Sequence, residues 1–105
     1  MNDTLFSLSG RTAMVTGASS GLGRTFASVL ATAGASVILT GRRMELLEQV
    51  YAEITSQGGE ALPVHMDVTD EKTITQGFDE AERNCGHIDI LVNNCLLYTS
   101  DAADE

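Results

Sequence analysis

The run Thr16-Gly17-Ala18-Ser19-Ser20-Gly21-Leu22-Gly23 is the stretch of this sequence best suited to holding a ligand. Its three glycines have distinct uses: Gly17 can turn the chain tightly, Gly21 leaves the backbone open to an approaching group, and Gly23 lets a following helix pack closely. When such a turn opens a helix, free backbone N–H groups and the positive end of the helix dipole face the ligand, which suits a diphosphate. The alternative is a glycine-rich turn with no ligand. A second cluster, Gly41-Arg42-Arg43, follows about 20 residues on, where dinucleotide-binding folds that hold an unphosphorylated ribose place a carboxylate. Gly41 offers none, so a 2′-phosphate can rest against the planar fork of Arg42, with Arg43 and the Ser19 hydroxyl assisting. That pattern points to NADP(H), with NAD the less favoured cofactor. A competing reading has both arginines merely solvate a helix start, where the dipole slightly disfavours cations.

The elements that would position these residues follow from hydrophobic periodicity. Thr12 to Val15 reads as a strand leading into the turn, and Leu22, Phe26, Val29, Leu30 and Ala33 recur as one face of the helix behind it, which Gly34 ends. Val37-Ile38-Leu39 is a continuous apolar strand of the kind buried on both sides. Leu47, Val50 and Ile54 mark the next helix, stopped at Gly58-Gly59. Ala61 to Met66 is a third strand, and Pro63 within it places it at a sheet edge, because a central strand cannot spare an N–H. Asp70 caps a helix carrying Ile74, Phe78 and Ala81, Gly86 closes it, and Ile88 to Val92 forms a fourth strand. Strands alternating with helices imply an α/β parallel sheet. Right-handed crossovers with the proline strand at the edge give the order 3-2-1-4, with ligands bound beyond the carboxyl ends, where strand order switches between strands one and four.

Composition removes several function classes. A net charge of -9 from six Lys and Arg against fifteen Asp and Glu repels polyanions, so neither nucleic acid nor an anionic membrane is an expected partner. No apolar run reaches the about 18 residues of a transmembrane helix, and Met1-Asn2-Asp3 does not open a signal peptide, so the expected setting is cytoplasmic. Cys85 and Cys95 match no metal or redox spacing, and His65 and His87 have no partners at ligand spacing, so no metal is expected.

From Leu8 to Asn94 the sequence resembles the short-chain dehydrogenase/reductase family. Four signposts carry the resemblance in order: the Gly-x-x-x-Gly-x-Gly turn preceded by Thr16, the basic pair after strand two, Asp67-Val68 after strand three, and Gly86-His87-Ile88-Asp89-Ile90-Leu91-Val92-Asn93-Asn94. The resemblance implies a Rossmann-type doubly wound α/β fold, truncated after the fourth strand. It further implies an NAD(P)-dependent oxidoreductase that interconverts a carbonyl and an alcohol on a small molecule, homo-oligomeric when complete. Within that frame Gly17, Ser19, Ser20, Gly21, Leu22, Gly23 and Arg42 line the cofactor site. Asp67 and Val68 would border the adenine, and Asn94 would touch the cofactor through its backbone beside the nicotinamide ribose. Asp67 can equally be a plain strand-end carboxylate, and Asn93 reads as a structural hydrogen-bonder tying strand four to its neighbour. The Leu5 to Arg11 lead-in is similar to gluconate-type and 3-oxoacyl-carrier reductases of the family.

The family's chemistry uses a tyrosine with a lysine four residues later, whose charge helps lower the tyrosine pKa for proton transfer, together with an upstream serine and a further asparagine. Tyr51 is followed four places on by Thr55 and Tyr98 by Ala102, so no catalytic residue is assigned and the chain alone should be inactive. Residues 1–94 therefore read as the N-terminal part of a dinucleotide-binding domain. Residues 95–105 depart from the family's Asn-Asn-Ala-Gly and match, from Cys95 to Asp104, a translated sequencing adapter, so they are expected to be a read-through tail. A non-catalytic dinucleotide-binding or sensing module on the same fold is the alternative function, and a truncated product with none is a third.

Overall fold

A computed structural model describes residues 7–94. Apolar runs and helical periods alternate along the chain, and the structure resolves them into four strands and three helices. The strands are β1 (Thr12–Thr16), β2 (Ser36–Gly41), β3 (Glu60–His65) and β4 (Ile90–Asn93), and the helices between them are α1 (Gly21–Thr32), α2 (Met44–Ser56) and α3 (Glu71–Cys85). All strands pair in parallel in the order β3-β2-β1-β4. Pro63 stands opposite Leu39 in β3, an edge strand whose outward N–H groups have no ladder partner to lose.

The core has two halves, one on each side of the sheet. Ala13, Val15, Val37 and Leu39 meet Ala27 of α1 and Leu47, Val50 and Ile54 of α2. Met14, Ile38, Val64 and Met66 meet Ala81 of α3, with Ile74 and Phe78 packed alongside. β1 and β2 thus supply side chains to both halves, which is why they read as unbroken apolar runs. Each buried Val, Leu or Ile contributes about 1.5–3 kcal/mol relative to exposure.

Three sequence expectations change. The buried side of α1 is built from Gly23, against the glycine turn, and Ala27, against the sheet, while Leu22, Phe26 and Val29 stay 47%, 38% and 60% exposed. Small residues let α1 lie close to the turn and the sheet, and hydrophobicity ranking overlooks them. β4 starts at Ile90 rather than Ile88, because Asp89 turns its carboxylate back to accept from Thr12 N at 2.9 Å and its own N–H donates to Thr12 O at 2.8 Å. β2 runs on to Gly41, which delivers the chain directly to Arg42. Asp70 caps α3 as its sequence position predicts, accepting from Lys72 N.

Among the described residues no helix is long and apolar enough to cross a membrane. The tail 95–105, with Cys95 and Tyr98, lies outside the described residues.

Candidate functional site

The Thr16 to Gly23 turn sits where the sequence places it, between the end of β1 and the start of α1, at the carboxyl edge of the sheet. Gly17 has φ +62°, a left-handed conformation that side chains other than glycine's adopt at a cost. Gly23 is held tightly from another direction: a Cβ there would collide with the Gly17 carbonyl and the Ala18 Cα. The close approach that requires Gly23 is therefore to the turn itself, rather than to the sheet as the spacing suggests. Gly21 faces open space, with no atom within 4 Å of the point a Cβ would occupy. An anion can reach the backbone at that point.

Ser20 organises the turn. Its hydroxyl donates to Gly17 O at 2.9 Å, accepts from Gly23 N at 3.3 Å as the cap of α1, and accepts from Asn94 Nδ2 at 2.9 Å. Asn94 is 2% exposed, its Nδ2 also lies 3.4 Å from Gly17 O, and its Oδ1 is buried with no partner among the described residues. The residue that follows β4 thus grips the turn through the Asn94 side chain. The family resemblance implies only a backbone role for Asn94, and no local signal in the sequence connects it to Ser20 across more than seventy residues. Asn93 does tie β4 to its neighbour, its Oδ1 accepting from Thr16 Oγ1 at 3.1 Å.

The second part of the site lies beside the first, over the end of β2. A Cβ on Gly41 would lie 3.7 Å from Ser19 Oγ, so Ser19 and the chain leading to Arg42 border one space. Arg42 and Arg43 are exposed, and Arg43 occupies the cap position of α2 without a side-chain cap bond. Across that space, Asp67 follows β3. The Thr69 hydroxyl, donating at 2.7 Å, and the Thr69 amide, at 2.9 Å, hold its carboxyl below the ordinary aspartate range. Partial burial opposes this, and Arg42 and His65 add smaller downward pulls. Thr73 Oγ1 donates to Asp67 O and accepts from Asp67 N, both at 2.9 Å, so the loop holding Asp67 and the 42% exposed Val68 is fixed at both ends of the residue. The Asp-x-Thr spacing was a readable signal for that loop.

A cavity lined by Thr12, Ser36, Glu60, Asn84 and Cys85 lies at the opposite ends of the strands and shares no residue with the glycine turn. Burial, and then the Glu60 charge, push the Cys85 thiol up, which disfavours a nucleophilic thiolate. The single lysine, Lys72, has Val68 four positions before it, so no tyrosine–lysine pair of the family's spacing is present.

Comparison with known proteins settles the family. The family model for short chain dehydrogenase matches residues 11–104, running past Asn94. The chain belongs to the short-chain dehydrogenase/reductase family. It is 47% identical over 90 residues to gluconate 5-dehydrogenase of Gluconobacter oxydans, covering 86% of this chain and 35% of that protein. A metagenomic short-chain oxidoreductase solved in complex with NADP superposes with a TM-score of 0.77 at 39% identity, covering 80% of this chain and 38% of that one. A 7α-hydroxysteroid dehydrogenase complexed with NADH and 7-oxo glycochenodeoxycholic acid gives a TM-score of 0.82 at 38% identity, covering 89% and 36%. The chain therefore spans about a third of the length of the family members it matches.

Proposed function

We propose that this chain is the coenzyme-binding part of an NADP(H)-preferring oxidoreductase that interconverts a carbonyl and an alcohol on a small molecule, with NAD the less favoured cofactor. The observation that carries the reading is the pairing of an open turn at Gly21, the first residue of α1, with a carboxylate-free strand end at Gly41 next to exposed Arg42. The residues fit the coenzyme: the space beside Gly21 that a side chain would fill is free, and nothing acidic stands at Gly41 to repel a 2′-phosphate. A relative complexed with NADP and another with NADH support a nicotinamide dinucleotide as the ligand class.

When bound, the nicotinamide supplies or accepts the hydride. The Gly17 to Gly23 turn and the α1 N-terminus hold the diphosphate. Arg42, with Arg43 and Ser19, receives the 2′-phosphate, Asp67 and Val68 border the adenine, and the Asn94 backbone lies toward the nicotinamide ribose. Val68 offers an apolar edge, and Asp67, kept ionised by Thr69, can accept from an exocyclic amine. The chain binds and orients the coenzyme but brings no tyrosine–lysine pair, so by itself it turns over no substrate. Residues 1–94 act as the family unit, and 95–105, although the family model runs on to residue 104, read as a tail because they depart from the family's Asn-Asn-Ala-Gly after Asn94. The complete protein is read as a homo-oligomer.

Cofactor choice is tested by Gly41→Asp and Arg42→Ala, with binding followed by NAD(P)H fluorescence. Arg42→Ala should weaken NADPH by about tenfold, the loss of one charge-assisted pair, and leave NADH unchanged. Gly41→Asp should reverse the preference. Equal losses for both coenzymes would remove the argument for NADP(H).

A further inference from the structure

The strand ends farthest from the glycine turn carry a cluster that the coenzyme site does not use. In the sheet register Thr12 stands beside Ser36 and Ser36 beside Glu60, so the first residues of β1, β2 and β3 form one row, about 10 Å long at a strand spacing of about 4.8 Å. Side chains alternate along a strand, and Ile38 and Leu62, two residues on from Ser36 and Glu60, pack in the core half that α3 covers. The row therefore lies on the α3 side of the sheet. With Leu62 and the last two residues of α3, Asn84 and Cys85, it lines a cavity of about 330 Å³. Two features make this cavity electronegative. Glu60 accepts from Ser36 Oγ at 2.8 Å and has no cationic partner among the described residues. The last turn of α3 brings the negative end of the helix dipole and carbonyls that the helix itself does not satisfy. Arg83, exposed in that turn, does not line the cavity. The Glu60 charge is felt inside, since after burial it is the second influence that pushes the Cys85 thiol up.

We propose that this cavity binds a short primary alkylammonium ion, with the ammonium held between Glu60 and the carbonyl end of α3 and the alkyl chain lying against Leu62. The site is separate from the coenzyme turn and does not depend on the function proposed above. Chemistry selects this occupant. An anion would meet the Glu60 carboxylate and the negative end of α3 together. A divalent metal is poorly served, because Ca²⁺ takes about six to eight oxygen ligands, while the cavity offers one carboxylate and no three His, Cys, Asp or Glu residues converge among the described residues. A primary ammonium carries three donors, and acceptors for them are at hand. The Glu60 carboxylate and the α3 carbonyls supply them, as does the side-chain oxygen of Asn84, whose Nδ2 is engaged with Glu80 O at 2.8 Å. The volume is near the lower end of the range of about 300–1,000 Å³ for small-molecule sites, which keeps the ligand small.

The test is titration of the isotopically labelled 105-residue chain with n-butylammonium chloride at constant ionic strength, followed by amide chemical shifts. No coenzyme is present, so failure here is distinct from failure of the cofactor assignment. Saturable shifts are expected at Ser36, Glu60, Asn84 and Cys85, with a Kd of about 1–10 mM and the glycine turn unmoved. Glu60→Gln keeps an acceptor for Ser36 but removes the charge, and should weaken binding about tenfold. Glu48→Gln, the same charge change on the exposed side of α2, should leave it unaltered. Circular dichroism of both variants should match the parent, since both positions are exposed. Neutral n-butanol and tetramethylammonium, which has no N–H to donate, should each bind at least about tenfold more weakly than n-butylammonium. No saturation by about 100 mM, equal binding of either control compound, or a Kd indifferent to Glu60→Gln would each overturn the proposal.

Discussion

Replacing Ser20 with alanine is the sharpest probe of how the glycine turn is held. The hydroxyl that is lost makes three contacts: a donation to Gly17 O, acceptance from Gly23 N, and acceptance from Asn94 Nδ2. Loss of a helix cap of this kind costs about 1 kcal/mol. Among the described residues Asn94, 2% exposed, has no partner for its Oδ1, and its amide would keep only the 3.4 Å contact to Gly17 O. Stranding that buried donor costs a further 1–3 kcal/mol or so. The contacts share one atom and do not simply add, so we expect a loss of about 2–3 kcal/mol. For a unit of this size that corresponds to a Tm about 10–20 °C lower. Ser20→Thr, which keeps the hydroxyl, should cost under about 1 kcal/mol. In an Asn94→Ala background Ser20→Ala should cost only the cap, giving a coupling of about 1–2 kcal/mol. Urea and thermal unfolding followed by far-ultraviolet circular dichroism measure the parent, Ser20→Ala, Ser20→Thr, Asn94→Ala and the double variant. A Ser20→Ala Tm within about 3 °C of the parent, or the same loss with and without Asn94, would refute the clamp.

Other consequences follow from the same geometry. Gly23→Ala forces a methyl into the Gly17 carbonyl and should both lower Tm and abolish coenzyme binding, whereas Gly21→Ala, which meets open space in the protein, should leave Tm unchanged and weaken binding alone; paired melting and fluorescence titration separate the two. Leu47, fully buried between α2 and the sheet, should cost about 2–5 kcal/mol on truncation to alanine in urea melts. Asp67 has a folded pKa below its unfolded value, so its stabilisation is present above about pH 4 and is lost as pH falls through the folded value. Asp67→Asn should therefore be less stable than the parent at neutral pH, with the gap closing in acid; a gap that is constant across pH would show that the carboxylate's charge is not the cause.

Much of this arrangement is legible in the sequence because it is written in local chemistry. A glycine turn between a strand and a helix, a proline restricted to an edge, and Leu47, Val50 and Ile54 at helical spacing each have one economical structural solution, and together they give the β3-β2-β1-β4 order. α1 was harder to read because its contact side is defined by what Gly23 and Ala27 lack. Ranking residues by hydrophobicity selects Leu22, Phe26 and Val29, which the described chain leaves uncovered. The Asn94 clamp was not legible at all, since it depends on β4 lying next to β1, a contact between residues far apart in sequence. Gly41 and Arg42 were legible as types, but their closeness to Ser19 and Asp67 comes only from the parallel register of β2 with β3 and β1.

In the proposed function, backbone amides of one turn hold the diphosphate of a nicotinamide dinucleotide. Amide chemical shifts of the isotopically labelled chain, followed by nuclear magnetic resonance during titration with NADPH, test it most directly. The largest shifts should fall on Gly17 through Gly23 and on Arg42, with the Ser36 and Glu60 ends of β2 and β3 unmoved. Shifts that spare the glycine turn, or none at saturating NADPH and NADH, would contradict it.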